Sequence, residues 1–302
     1  MTMEKDEAVP HLSAASSFRL QAFGVALVIL STIAIAIVPS LAKLAYDGGS
    51  NTMTVITGRS IFSVLLTFLL IVVLRQPFVI SRSAMLTASA MGVGYAVILY
   101  GYLGAVNYLA VSLVILIYFI HPLLVGFIVM LLGEERLTII SVGALAAALA
   151  GLGLVIGFSL DNLNLTGVGL ATLAMTVTAI VIVGNARAMR KAPALSVGFY
   201  MMLSAAAVLA VLFALSGTLA MPNTTLAWTG FVGVAIAATT GTLAFMSGMA
   251  YVGAARAAMI SNLEPVIGVI FAIAILGERV TLVQGIGIAM VIGAIFLMEW
   301  SR

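Results

Sequence analysis

Residues 261–281 read SNLEPVIGVIFAIAILGERVT, and residues 118–138 read YFIHPLLVGFIVMLLGEERLT. Laid over each other at an offset of 143 residues, they bring Pro122 to Pro265, His121 to Glu264, Glu135 to Glu278, Arg136 to Arg279 and Thr138 to Thr281. Further out Tyr108 meets Tyr251, while GEERLT against GERVT slips the glycine by one residue. Each copy is an apolar run with a proline inside it and a charged turn behind it, the pattern of a membrane helix and the loop that follows. The chain is therefore a duplication, and the period of the repeat decides how the rest is divided.

Working outward, apolar runs long enough to cross about 30 Å of hydrocarbon recur with short polar breaks. Ten spans are expected, near 20–45, 52–74, 84–103, 111–132, 137–158, 164–186, 195–216, 226–250, 256–276 and 281–299. The breaks at Leu103–Val111 and Tyr251–Arg256 are marked only by Gly104, Asn107 and Gly253. Composition agrees: of 302 residues 63% are apolar and 8% charged, against roughly a quarter charged in soluble domains. With no cysteine and two histidines, disulfides, thiolate metal sites and cysteine nucleophiles are excluded, and neither a cofactor nor a metal is expected. The 13 basic residues form no patch for nucleic acid.

Their placement reads instead as topology, because Lys and Arg of short loops are held on the cytoplasmic side. With the N-terminus inside, Lys5, Arg19, Arg75, Arg82, Arg136, Arg187, Arg190, Lys191, Arg256 and Arg302 all fall inside. Arg279 falls outside, Lys43 near the outer end of the first span and Arg59 within the second. Five spans per half is an odd number, so the second half lies upside down relative to the first. The expected fold is an all-α integral membrane protein of ten transmembrane helices in two inverted five-helix repeats. It comprises a cytoplasmic tail (1–18), a first repeat (19–158) and a second (159–302), in the cell membrane with both termini cytoplasmic. Inverted repeats characterise secondary transporters, with the substrate site at their interface near the bilayer midplane.

PSLAK at Pro39–Lys43 with TGRS at Thr57–Ser60 resembles the start of an EamA-type repeat. The segment Ser261–Thr281 resembles the ninth helix and following turn of the drug/metabolite transporter superfamily, and Tyr118–Thr138 is its weaker counterpart. The resemblance runs from about Phe18 to Trp300. It implies ten helices, cytoplasmic termini and transport, often export, of amino acids or other small metabolites.

Candidate site residues are the polar groups inside apolar runs, where a central charge costs about 2.5–3.5 kcal/mol. Arg59 lies about 11 Å from the outer end of its helix at 1.5 Å per residue, and its guanidinium suits a substrate carboxylate or a structural tie to Asp47 or helix-end carbonyls. Lys43, one turn from the outer end, either meets substrate or snorkels. His121 and Glu264 each precede a proline, which removes a helical hydrogen bond and frees the carbonyls of Tyr118 and Ser261. An acid there needs a partner or a proton, and His121 titrates near neutrality. Tyr95 and Tyr102 share a helical face, and Thr239, Thr240, Thr242 and Ser247 add hydroxyls, a wall suited to a zwitterion. Gly143, Ala147 and Gly151, like Gly285, Ala289 and Gly293, are spaced for helix contact. Glu278 is expected to cap the last helix. The function expected is a secondary transporter of an amino acid or related carboxylate by alternating access, with a small-molecule substrate, the bilayer and protons as partners. The alternative is a membrane-embedded enzyme or assembly subunit using His121 and Glu264. No HExxH, GxSxG, Walker or CxxC pattern supports an enzyme.

Overall fold

The computed structural model describes residues 14–132, 164–189, 191–253 and 260–300, with single positions between 143 and 154 and at 257. Residues 1–13 of the expected tail, Glu135, Arg136, Thr138, Arg190, Arg256, Arg302 and most of the expected fifth span lie outside the described residues, while residues 14–18 already belong to the first helix. Within them the chain is helical throughout: α1 (Ala14–Ala36), α2 (Val38–Asp47), α3 (Thr52–Val73), α4 (Arg82–Ala105), α5 (Val111–Tyr118) and α6 (His121–Leu131) in the first half. The second half contributes α7 (Leu165–Met189), α8 (Ala194–Ser216), α9 (Thr225–Val252), α10 (Glu264–Leu276) and α11 (Leu282–Trp300). Seven stretches among the described residues are helices long and apolar enough to cross a membrane, and α10 and most of α11 are shorter apolar helices.

Helix ends fall where the polar residues of the sequence can satisfy the first free N–H groups. Asn51 Oδ1 accepts from Thr54 N at 2.8 Å, Thr224 Oγ1 from Ala227 N at 3.1 Å, and Asn164 Oδ1 from Thr166 N at 2.9 Å. The interruption at Leu103–Val111 is a true loop, in which Asn107 Nδ2 donates to Thr52 Oγ1 at 2.8 Å. At the other doubtful break α9 stops at Gly253, whose φ of 85° a side chain would disfavour.

Among the described residues three spans are broken in mid-course, each just before a proline. The first breaks at Ile37 before Pro39, the fourth at Phe119–Ile120 before Pro122, and the ninth at Asn262–Leu263 before Pro265. Proline has no N–H to continue the ladder and its ring crowds the preceding turn. The later two breaks restart at His121 and Glu264, the positions paired by the repeat.

Hydrogen bonds gather the loops into two ends. At one end Asn51 Nδ2 donates to Thr218 O at 2.6 Å, Asn223 N to Gly48 O at 2.9 Å, and the Glu278 carboxylate meets the start of α5. At the other, Ser196 Oγ donates to Pro77 O at 2.7 Å, Tyr200 Oη to Phe78 O at 3.0 Å and Lys191 Nζ to Ser83 Oγ at 3.1 Å. Between them the helices pack through small residues: Gly24 of α1 faces Gly248 of α9, and Gly101 of α4 faces the Leu170 carbonyl of α7. Close backbone approach replaces the hydrophobic drive that lipid does not supply. Large apolar side chains such as Leu65, Leu86 and Leu212 stand exposed around the bundle, which fits a hydrocarbon surrounding.

The packing stripe expected on α11 is displaced. No described residue lies within 4 Å of a Cβ on Gly285 or Gly293 and Ala289 is exposed, whereas Gly151 packs against Gly287, Met290 and Val291. The face in contact runs through Gly287, Val291 and Ala294, all buried, and Gly287 lets the backbone of α11 come close to Gly151. A Cβ on Gly143 likewise meets no described residue within 4 Å.

Candidate functional site

A cavity of about 120 Å³ lies where the broken spans meet the continuous ones. Its polar wall comprises Arg59 of α3, Tyr95 and Tyr102 of α4, Tyr118 at the end of α5, Thr242 of α9 and Glu264 at the start of α10. Ile35 and Val38, on either side of the first break, supply apolar wall. At roughly 10–15 Å³ for one water, this volume holds several waters. A much smaller void continues from Arg59 along Ser60, Ser63 and Met202.

Arg59 Nη2 donates to Tyr95 Oη at 3.2 Å, its hydrogen bond to a described side chain. No carboxylate of a described residue pairs with it, so the guanidinium keeps donors for a bound group. Asp47 accepts from Lys43 Nζ at 2.7 Å, which removes the tie between Asp47 and Arg59 that the sequence left open. Glu264 opens α10 with Pro265 behind it and makes no hydrogen bond or ion pair with a described residue. The cavity thus carries a cation and an acid side group on different helices, with aromatic rings between. Tyr102 and Tyr118 stack at 4.2 Å with an interplanar angle of 30°, and Thr178 Oγ1 donates to Tyr118 Oη at 3.3 Å, fixing that ring.

Of the residues expected at a site, the structure therefore brings Arg59, Tyr95, Tyr118 and Glu264 to one cavity. Lys43 is at the helix end, 32% exposed and paired to Asp47. Thr239 is buried, donating to Ala235 O at 2.7 Å and bonded to Ser63 Oγ at 2.8 Å. His121 does not line the cavity. Its Nδ1 donates to Tyr118 O at 2.9 Å, so the carbonyl that Pro122 releases is occupied rather than bare, and the bond places the ring proton on Nδ1. Ser261 lies just before the break of the ninth span and lines neither described cavity. Thr240 and Thr242 donate to the carbonyls four residues back, and Ser247 is exposed, so Thr242 is the hydroxyl of α9 that faces the cavity. Ile35 and Val38 escaped the sequence reading, although Pro39 marked the break that exposes them.

Glu278 does not cap α11. That helix is capped by its own Thr281 and Gln284, whose Oε1 accepts from Thr281 N at 2.9 Å while Thr281 Oγ1 accepts from Gln284 N at 3.3 Å, a reciprocal capping box. Glu278 reaches instead to the first half of the chain. Its carboxylate accepts from Val111 N at 2.5 Å, Ser112 N at 3.1 Å and Ser112 Oγ at 2.6 Å.

Residues 165–300 match the model of the EamA-like transporter family. No curated protein matches the chain. A crystal structure described only as that of a protein aligns with 93% of this chain and 95% of its own, at 19% identity and a TM-score of 0.53. That likeness concerns the fold alone. The chain is a multi-pass membrane protein, helical over its described residues, whose residues 165–300 form an EamA-like transporter region.

Proposed function

From the EamA-like transporter region at residues 165–300, we propose that the whole chain is a ten-span secondary transporter. Its two inverted repeats, 19–158 and 159–302, move an amino acid or related carboxylate by alternating access, in the exporting direction. Its site is the cavity between Arg59 and Glu264. The breaks that restart at His121 and Glu264, 143 residues apart, support the repeat, since they recur at its period. The orientation is supported by where the charges gather: Arg75, Arg82, Arg187 and Lys191 belong to the end held by Pro77 and Phe78, so that end is cytoplasmic and the Glu278 end is outer.

The observation that carries the reading is a guanidinium without a described acid partner facing the same cavity as a carboxyl without a described partner. A zwitterion satisfies both: its carboxylate takes two donors of Arg59 in a planar fork, and its ammonium takes Glu264. Tyr102 and Tyr118 offer a stacked apolar surface to the remainder of the solute. In the enzyme reading His121 and Glu264 would share a site, and that reading gains nothing from a His121 that turns to the Tyr118 carbonyl. The test is purified protein in liposomes preloaded with unlabelled amino acids and offered labelled ones. Exchange of chemically unaltered label is expected; conversion of the label without exchange would overturn the transporter reading.

A further inference from the structure

Above the cavity, toward the outer end, the helices are fully packed. Leu103, Val106, Val111, Val114 and Ile115 are each no more than 1% exposed, and Gly268 of α10 lets Ile115 of α5 come close to its backbone. These described side chains form a buried layer between the cavity and the outer end of α5. The Glu278 carboxylate stands over that layer and joins α10 to α5, two segments from opposite halves of the chain. The N-cap residue of α5 is Ala110, which has no side chain able to cap. The N–H groups of its first turn, which have no partner within the helix, and its positive end are therefore served from 167 residues away. Gly277, in the left-handed conformation at φ 67°, turns the chain so that Glu278 can reach.

We propose that Glu278, bonded to Val111 and Ser112, is the latch that holds the outer end of the cavity shut, and that it is released when the protein opens outward. The structure is then the outward-closed state. Glu278 is a positioning residue: it touches no substrate and acts by keeping α5 and α10 together. Partial exposure of the contact suits release, since water can take over each hydrogen bond as it parts. The proposal rests on the alternating-access reading above, but its test needs no substrate.

The chain has no cysteine, so Thr242→Cys places a single thiol in the cavity wall. Its labelling by a membrane-impermeant thiol reagent is measured from outside on intact cells and from inside on inverted vesicles. With Glu278→Gln added, the rate from outside should rise roughly tenfold and the rate from inside fall, the population shift expected from losing a charge-assisted contact. Ser112→Ala should shift both rates the same way by a smaller factor, and Glu278→Asp should return them toward the starting values. Unchanged rates would overturn the latch, as would a rise from both sides, which reports a loosened bundle. Should Glu278→Gln fail to accumulate, Ser112→Ala decides: an unchanged outside rate overturns the proposal. A chain that labels as expected yet exchanges no solute retains the latch and loses the transporter reading.

Discussion

Arg59 stands about 11 Å below the start of α3 at 1.5 Å per residue, beyond easy snorkelling, and its hydrogen bond to Tyr95 leaves donors for a ligand. Replacing it by lysine keeps the charge and removes the planar fork. Arg59→Lys, at equal protein level, should raise the apparent KM for an exchanged amino acid about tenfold, the loss of one charge-assisted bond of roughly 1.5 kcal/mol; an unchanged KM would return Arg59 to a structural tie with Tyr95. Glu264 is argued from the opposite lack. It has no described partner, so its charge in an apolar span waits for a cation or a proton. Glu264→Gln should accumulate normally, lose exchange of zwitterions and cations, and flatten the pH profile of any transport that remains. Wild-type exchange with an unaltered profile would make Glu264 a packing acid. Both residues were visible in the sequence because charge inside an apolar run is costly there. The same reasoning overreached at Lys43, whose closeness to the helix end allows it to pair with Asp47, and at His121, whose ring answers the carbonyl released by Pro122.

At the scale of the element, the spans were legible because lipid demands a minimum apolar length, and the breaks because proline cannot complete the ladder. Contact faces were not. The four-residue spacing of small residues on α11 marks Gly285, Ala289 and Gly293, yet the side that meets a neighbour runs through Gly287, Val291 and Ala294 and depends on the groove opposite. Gly101 and Gly285 make the difference measurable. A Cβ on Gly101 would lie 2.7 Å from the Leu170 backbone oxygen, whereas one on Gly285 would meet nothing within 4 Å. Gly101→Ala should therefore destabilise the detergent-solubilised protein by about 1–3 kcal/mol, as overpacking does, and Gly285→Ala should leave its melting temperature unchanged. Equal melting of the two variants would refute the α4–α7 packing. The cap of α11 was also in the sequence, as Thr281 and Gln284 at capping-box spacing. Overlooking it gave Glu278 the wrong helix, and the true partner, across the chain at Val111 and Ser112, left no local signal.

In the whole molecule three features that stand apart in the sequence meet: the period of the repeat, the side of the basic residues and the cost of buried charge. The structure adds that the first and ninth spans break beside one cavity, where Val38 and Glu264 line it, and that Tyr118 brings the fourth span to the same place. A site at the meeting of interrupted helices is what a transporter needs, since bare helix ends and side chains there can exchange partners without unfolding the bundle. All of this depends on the second half running opposite to the first. Single cysteines at Thr138→Cys and Thr281→Cys, equivalent in the repeat, measure that directly when an impermeant thiol reagent is applied to intact cells. Labelling at position 281 and protection at position 138 is the predicted result; labelling of both, or of 138 alone, would contradict the inverted arrangement.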